Sequence, residues 1–329
     1  LEVDEDAPGI AATGKYIGKK WGGKFLRAPD IFFTIIEKGK GKLVRLGDIA
    51  DVRFGIKTGA NEFFYLDDTA IKTWGIEKEF LKPVIKSPRE CKSILIDRKN
   101  LKNQAFICNK TKTELKGTNA LKYIEAGEKA GIEVRQGSEK GTKVKGYQNL
   151  ESVKARKYWW HIGEQEGNIF WGKEIRERLA TFSSKDLIAA DCRLYYAAVE
   201  MPIKLLCNAT IYYLLGEVLK RDLGGGGGPR SLMVYEVQDS LIVNPSLFDV
   251  KNWIGVDSFL QREVKTIFEE CGLDREGKIR DQEPRPLPDR KRLDDIVFDA
   301  IGLTQPERKE VYWSVCELVK TRLDKAGSV

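Results

Sequence analysis

Hydrophobic and polar positions change their spacing twice along the chain. Residues 1–30 carry no sustained apolar pattern and are rich in Gly, Lys and Pro. Short strand-like apolar runs follow up to about residue 250, and helix-like spacing dominates after residue 256. We therefore expect three parts: a connector (residues 1–42), an α+β domain (residues 43–250) and a C-terminal helical part (residues 251–329).

The middle of the chain predicts a mixed, largely antiparallel twisted sheet with helices, and hence an α+β fold. Residues 31–36 fit either a short helix or a strand. Further strands are predicted at residues 80–85, 93–97, 105–109, 186–199, 231–237 and 241–243. Pro83 indicates that the first of these lies at a sheet edge or is irregular. Helices are predicted at 121–130 (Leu121, Ile124 and Ala130 inward), 205–220, 256–272, 293–303 and 307–325.

Residues 43–66 contain two strand-like runs, 53–56 and 62–66, on either side of the polar turn 57–61. This pattern predicts a hairpin. A loop between strands commonly presents binding side chains. The alternative is an ordinary hairpin in which Gly55, Thr58 and Gly59 only shape the turn. The candidate DNA contacts here are Arg53, Lys57, Thr58 and Asn61.

Positive charge is concentrated in the middle of the chain. The net charge is +7, but residues 82–157 hold 19 Lys/Arg against 8 Asp/Glu, so this segment carries +11 and the remainder −4. Such a distribution suggests a polyanionic partner, although a solvated lysine-rich surface would look the same. Residues 131–157 predict a basic loop that leads into a short helix. Its candidate DNA contacts are Lys143, Lys145, Arg156 and Lys157.

Two further segments suit nucleic acid. Trp159 and Trp160 follow the basic loop, and their rings would either pack on sugars or bases or, the favoured alternative, close a core. Five consecutive glycines, residues 224–228, allow a sharp turn and close backbone approach to a partner. Arg221 and Arg230 flank these glycines and are the remaining candidate DNA contacts.

Several short motifs occur in a defined order. They are KWGGKFLRAPD (20–30), LGDI (46–49), GIKTGANEFF (55–64), LCNAT (206–210), RDLGGGGGPRSL (221–232), LDDIVF (293–298) and RLDKA (322–326). Their order and spacing resemble the target-recognition region of restriction-modification adenine-N6 DNA methyltransferases of the type I-like and type IIG-like classes. The resemblance implies recognition of a specific double-stranded DNA sequence. It also implies a methylase domain upstream as a partner, and S-adenosylmethionine as that domain's cofactor.

The chemistry of the methylase itself is missing from this sequence. No Pro-Pro dipeptide occurs, so the Asn/Asp-Pro-Pro-aromatic motif that holds the target adenine is absent. The glycine run follows a helix and precedes a strand, the wrong order for a nucleotide-binding loop. We expect no catalytic residue, cofactor or metal in this chain. The absence of an initiator Met likewise suggests a fragment of a longer protein.

Two alternatives remain open: a nucleic-acid enzyme and a protein-interaction domain. Asp97 and Lys99 follow an apolar run and could belong to a metal-dependent nuclease site completed by Asp67 or Asp68. Zinc is not expected, because the chain has one histidine and no CxxC among its six cysteines. Cysteines within apolar runs favour buried thiols and a cytoplasmic protein. No apolar run is long enough to span a membrane.

Overall fold

The computed structural model describes residues 28–134, 140–163, 165–219 and 230–327. Within them, eleven α-helices and fourteen β-strands form an α+β fold, as predicted. The helices are α1 Asp30–Lys38, α2 Asn61–Phe64, α3 Asp68–Trp74, α4 Asn119–Lys129, α5 Met201–Leu206, α6 Thr210–Leu219, α7 Val234–Gln238, α8 Asp257–Gln261, α9 Ile267–Cys271, α10 Pro288–Ile301 and α11 Gln305–Gly327. The strands are β1 Leu43–Arg45, β2 Arg53–Phe54, β3 Tyr65–Leu66, β4 Leu81–Ile85, β5 Leu95–Ile96, β6 Asn103–Phe106, β7 Gly131–Glu133, β8 Lys143–Lys145, β9 Glu166–Gly172, β10 Glu174–Ile175, β11 Thr181–Ala190, β12 Leu194–Ala197, β13 Arg230–Ser231 and β14 Leu241–Val243.

The long strand β11 organises an eight-stranded sheet, in which seven strands have the order β2-β12-β9-β11-β4-β6-β3 and the eighth, β5, pairs with β11 outside this order. β11 lies antiparallel to β9 on one side. On its other side it pairs in parallel with β5 through its first half and with β4 through its last two residues. All other ladders in this sheet are antiparallel, so the predicted largely antiparallel sheet is confirmed.

The hairpin predicted for residues 53–66 is wrong. β2 pairs with β12, whereas β3 pairs with β6, which places the two strands at opposite ends of the sheet. Residues 61–64 form the helix α2 instead of a strand, and this helix buries Phe63 and Phe64. The local pattern predicted extended segments correctly at β2 and β3, but long-range partners decided their pairing.

Pro83 does not mark a sheet edge, because β4 lies between β11 and β6. The ladder to β11 involves only Val84 and Ile85, and Pro83 lies just outside it. The missing N–H of proline is therefore tolerated within an inner but irregular strand.

The basic segment 131–157 is not the predicted loop and helix. β7 and β8 pair as an antiparallel ribbon in which Glu133 lies opposite Lys143 and Gly131 opposite Lys145. A 3₁₀ turn at Tyr147–Asn149 follows, and no α-helix occurs at residues 140–157. Ile132 is buried, which anchors one face of the ribbon to the core.

Three other predicted elements are divided or replaced. The helix predicted at 205–220 is divided into α5 and α6. The helix at 256–272 is divided into α8 and α9, because residues 262–264 run extended against residues 92–94. Residues 231–237 form β13 and α7 instead of one strand. The helices expected at 121–130, 293–303 and 307–325 are confirmed, although only Ile124 of the three residues predicted to face inward at 121–130 is fully buried. Residues 31–36, which fitted either a helix or a strand, belong to the helix α1.

Two hydrophobic clusters cover the sheet. The larger extends from Ile31 on α1 to Val319 on α11 and includes α5, α6, α9 and α10. The smaller surrounds Phe63 and contains Trp159 and Trp160, which are 5% and 4% exposed, so the core-closing alternative is confirmed for both rings. The division into three parts at residues 42 and 250 stays a prediction. Within the described ranges, no helix combines the length and apolarity needed to cross a membrane.

Candidate nucleic-acid interface

The loop 57–61 is tied to the segment 150–160 by side chains from the latter. Arg156 Nη2 donates to the carbonyl oxygens of Lys57 (2.9 Å) and Thr58 (2.8 Å). Ser152 Oγ donates to the Gly59 carbonyl oxygen at 2.6 Å. Arg156 is half-buried, and desolvation lowers the pKa of its guanidinium. The loop backbone is therefore fixed by groups about 95 residues distant in sequence.

Within this loop, two positions have a structural role. Thr58 is buried, accepts the Ala60 N–H through Oγ1 and donates to Asn61. Gly59 has φ +70°, and a Cβ atom there would lie 2.8 Å from the Ser152 carbonyl oxygen. The turn-shaping alternative thus holds for Thr58 and Gly59. Lys57 and Asn61 are exposed, so they remain available to a partner.

Arg53 lies apart from this loop, on the edge strand β2. Its guanidinium is 64% exposed and forms an ion pair with Asp51 at 2.6 Å. The hydrogen bond and charge of Asp51 raise the pKa of Arg53. The basic ribbon carries Lys143 and Lys145, both exposed, and Lys157 is exposed beside the Tyr158 ring. DNA contact by these residues stays a prediction.

Arg230, a candidate DNA contact at the end of the glycine-rich segment, is buried in the structure. This side chain is 5% exposed, pairs with Glu217 at 3.0 Å and donates to the Gly216 carbonyl oxygen at 2.8 Å. Arg322 pairs with the same glutamate. A buried arginine that neutralises a buried carboxylate has no access to DNA in this structure. Arg221 and the glycines 224–228 lie outside the described residues.

The turn between β11 and β12 carries a cation that the sequence analysis did not select. Arg193 is 53% exposed, and its Nε donates to the buried carboxylate of Asp191 at 3.0 Å. The other oxygen of Asp191 accepts the Tyr65 hydroxyl at 2.8 Å. The available signal was the polar triplet Asp191–Cys192–Arg193 between two apolar runs, which predicts a turn but not its neighbours.

An exposed ring accompanies this turn. Phe54 on β2 is 40% exposed and lies edge-on to Tyr195. Lys173 Nζ stands 4.7 Å from the centroid of the Phe54 ring, within cation–π range. The Lys173 N–H donates to the Arg193 carbonyl oxygen at 3.1 Å. The structure thus brings together an exposed ring and two cations at the β2 edge of the sheet.

Two of the three acidic residues considered for a nuclease site, Asp67 and Asp97, have local partners. Asp97 accepts the Lys99 N–H at 2.9 Å, and Asp67 accepts the Ala70 N–H at 2.8 Å. Each carboxylate therefore caps its own helical turn. In the parts of the chain that the structure describes, no group of three or more His, Cys, Asp or Glu side chains converges.

Replacing Arg156 by Met should lower the free energy of unfolding by about 1.5–3 kcal/mol, because loop carbonyl oxygens would lose a charged donor. Urea unfolding measures this change. Lys157→Met is the matched control, since it removes the same charge from an exposed neighbouring side chain and should change stability by less than about 0.5 kcal/mol. Equal effects of the two substitutions would contradict the clamping role of Arg156.

Comparison with known proteins finds a similarity over part of this chain. Residues 18–170 match the model of the C-terminal domain of the type II methyltransferase M.Eco57I. This match confirms the predicted resemblance to restriction-modification methyltransferases. A search of curated protein sequences finds no significant match to this chain.

One solved structure shows the same fold. The type IIG restriction endonuclease BpuSI aligns with a TM-score of 0.61 and 13% identity over 92% of this chain and 34% of that one. The type IIL restriction-modification enzyme MmeI, solved in complex with DNA, aligns less well, with a TM-score of 0.45 and 10% identity over 85% of this chain and 36% of that one. The chain thus spans about a third of the length of each of these two enzymes.

Proposed function

We propose that this chain recognises a specific double-stranded DNA sequence for a restriction-modification adenine-N6 methyltransferase. The observation that carries the proposal is the immobilised loop 57–61, which presents exposed Lys57 and Asn61 from a backbone fixed by Arg156. A group that contacts DNA specifically must be held by rigid elements. The match of residues 18–170 to a methyltransferase C-terminal domain supports the same function.

Recognition divides between two kinds of contact. Lysine and arginine side chains on the basic segment bind phosphate oxygens and set the position of the duplex. A smaller number of side chains enters a groove about 12 Å wide and donates to base edges there. We assign Lys143, Lys145 and Lys157 to the first group, and Arg53, Lys57 and Asn61 to the second. Thr58 shapes the loop that carries Lys57 and Asn61.

The remaining chemistry of the enzyme belongs outside this chain. Its partner is a methylase domain in the same longer protein, and that domain binds S-adenosylmethionine and extrudes the target adenine. By binding its recognition sequence, this chain sets the position of the methylase domain along the DNA. Six free cysteines, five of them buried, fit a cytoplasmic location.

Binding of a random duplex library to the 329-residue chain, followed by sequencing, tests this function. Lys57→Ala should weaken binding by about 1–3 kcal/mol and relax one position of the selected sequence if Lys57 contacts a base. Uniform weakening would assign Lys57 to a phosphate instead. Lys251→Ala, an exposed lysine in the C-terminal part, is the matched control and should leave binding unchanged.

Two results would reject the proposal. The first is the absence of any duplex binding by the wild-type chain at low salt. The second is metal-dependent cleavage of the same duplexes by the purified chain, which would favour the nuclease alternative. Unchanged binding by Lys57→Ala would remove only Lys57 from the interface.

A further inference from the structure

The turn 191–193 is fixed from three sides by backbone hydrogen bonds. The Asp191 N–H donates to the Ile85 carbonyl oxygen and the Cys192 N–H to the Ile56 carbonyl oxygen, each at 2.9 Å. The Arg193 carbonyl oxygen accepts the Lys173 N–H at 3.1 Å. Strands and loops from three distant parts of the sequence therefore hold this turn, and its single exposed cation projects from a rigid support.

Gly55 explains why the turn can approach so closely. A Cβ atom at residue 55 would lie 2.2 Å from the Asp191 carbonyl oxygen, closer than any side chain can tolerate. Ile56 forms a parallel bridge to Asp191. The Gly-Ile pair of the motif GIKTGANEFF thus supports the turn that carries Arg193.

The Arg193 guanidinium is oriented at one edge only. Its Nε donates to Asp191 Oδ1, which also accepts the Arg193 N–H at 3.0 Å. The Tyr65 hydroxyl occupies the other Asp191 oxygen. Among the described residues, neither Nη1 nor Nη2 of Arg193 donates a hydrogen bond. The two terminal nitrogens therefore form an oriented, unoccupied fork on a half-exposed side chain.

The surroundings of this fork favour a negative or electron-rich partner. Lys86, Lys102 and Arg193 all act electrostatically on Glu90, whose carboxylate is partly buried. Glu90, Lys102 and the exposed cations Arg89 and Lys92 line an open cleft of about 470 Å³. Three cations and two carboxylates, Glu90 and Asp97, line this cleft, so its lining carries a formal net charge of +1.

We propose that Arg193 binds DNA through Nη1 and Nη2 as a bidentate donor, with Asp191 and Tyr65 as positioning residues. This inference rests on the proposed function. The acceptor pair is O6 and N7 of a guanine, or two oxygens of one phosphate, since both match the planar arginine fork. Orientation by Asp191 reduces the entropy that the side chain loses on binding.

Selection from a random duplex library, followed by affinity measurement across salt concentrations, tests Arg193→Ala in the 329-residue chain. If Arg193 contacts a guanine, affinity for the selected sequence falls about 5- to 150-fold and the preference for guanine disappears at one position. If it contacts a phosphate, affinity falls for all sequences alike and the logarithmic salt slope decreases by about 0.9.

Arg45→Ala is the matched control for Arg193→Ala. Arg45 is 56% exposed and pairs with Asp239, but that carboxylate is itself 57% exposed, so the guanidinium lacks a buried anchor. Arg45→Ala should leave both affinity and base preference unchanged. An Arg193→Ala chain that binds like wild type would overturn the inference while the proposed function stands. A wild-type chain that does not bind duplexes would reject both.

The positioning role has its own test, a double-mutant cycle between Tyr65→Phe and Arg193→Ala. Tyr65→Phe removes only the hydroxyl that holds Asp191, and it should weaken DNA binding in the wild-type background. In the Arg193→Ala background it should have no further effect on affinity, because the oriented group is already gone. Equal loss of affinity in both backgrounds would show that Tyr65 acts on folding alone and would overturn its positioning role.

Discussion

Replacement of Arg290 by methionine should lower the free energy of unfolding by about 3–5 kcal/mol. Arg290 is 1% exposed and pairs with Glu270 at 2.9 Å and with Asp294 at 3.8 Å, and both carboxylates are buried. Its Nη1 also donates to the Asn208 carbonyl oxygen. Removal of the cation would leave two buried negative charges without their shared partner.

The network around Arg290 joins elements that are distant in sequence. Asp294 on α10 accepts the Thr210 N–H at 2.8 Å and the Thr210 hydroxyl at 2.6 Å, which fixes the start of α6. Glu270 belongs to α9, and the Phe259 ring of α8 lies 4.6 Å from the Arg290 guanidinium carbon. The helices α6, α8, α9 and α10 therefore depend on this single side chain. Removing it should destabilise the whole fold and not one helix alone.

The pH dependence of this effect has a definite sign. Burial opposes ionisation of Glu270, but Arg290 and Arg262 still hold its pKa below the ordinary value. The stability that ionised Glu270 gives the wild-type protein is therefore lost as the pH falls through this lowered pKa. Burial raises the pKa of Asp294. Without Arg290, both buried carboxyls should take up protons more readily than in the unfolded chain. The loss in free energy of unfolding caused by Arg290→Met should therefore be largest at neutral pH and smaller near pH 5.

Urea unfolding at both pH values tests this prediction. Arg280→Met is the matched control, because Arg280 also pairs with two carboxylates, Glu310 and Glu317, but is 48% exposed. It should cost less than about 1 kcal/mol. Adding Glu270→Met to Arg290→Met should restore part of the lost stability. Similar losses for Arg280→Met and Arg290→Met would refute the buried-charge argument.

The affinity of the chain for duplex DNA should fall by roughly two to three decades between 50 and 200 mM salt, as expected for release of counterions from on the order of 5 phosphates. Part of the basic segment 82–157 is already neutralised by intramolecular pairs. Lys82, Lys110, Lys112 and Lys154 pair with Glu166, Glu79, Glu128 and Glu151, respectively. Exposed cations without such an ion pair in the described residues include Arg89, Lys92, Lys102, Lys143, Lys145 and Lys157.

Fluorescence anisotropy with a labelled duplex measures the salt slope. The double substitution Lys143→Ala/Lys145→Ala should reduce the slope by about 1.8 if both lysines contact phosphates. Lys251→Ala/Lys278→Ala removes the same charge from exposed positions in the C-terminal part and should leave the slope unchanged. An affinity that is independent of salt would be incompatible with the basic segment as a DNA-binding surface, and would favour the protein-interaction alternative.

Most of the candidate site could be predicted only as a set of residues, without their arrangement. The pattern at 57–61 indicated a polar loop with exposed Lys57 and Asn61, which the structure shows. It did not indicate that Arg156, 99 residues away, fixes the loop backbone. Arg230 looked like Arg221 in sequence, but Glu217 and the Gly216 carbonyl oxygen draw it into the interior. Charge and turn residues are local properties, whereas burial depends on neighbours that the pattern does not specify.

The sequence by itself determined the α+β class and the helices α4, α10 and α11, because apolar spacing acts locally. It left residues 31–36 open between a helix and a strand, and it favoured the burial of Trp159 and Trp160 without deciding it. Only the tertiary structure decided strand pairing. Ten residues separate β2 from β3 in the sequence, yet the two strands have different partners at opposite ends of the sheet. The same pairing brings Ile56, Ile85 and Lys173 around the turn 191–193 and so gives Arg193 its rigid support. Hydrogen bonds between strands are satisfied equally well by many partners, and the competition among them is resolved only by packing of the whole core.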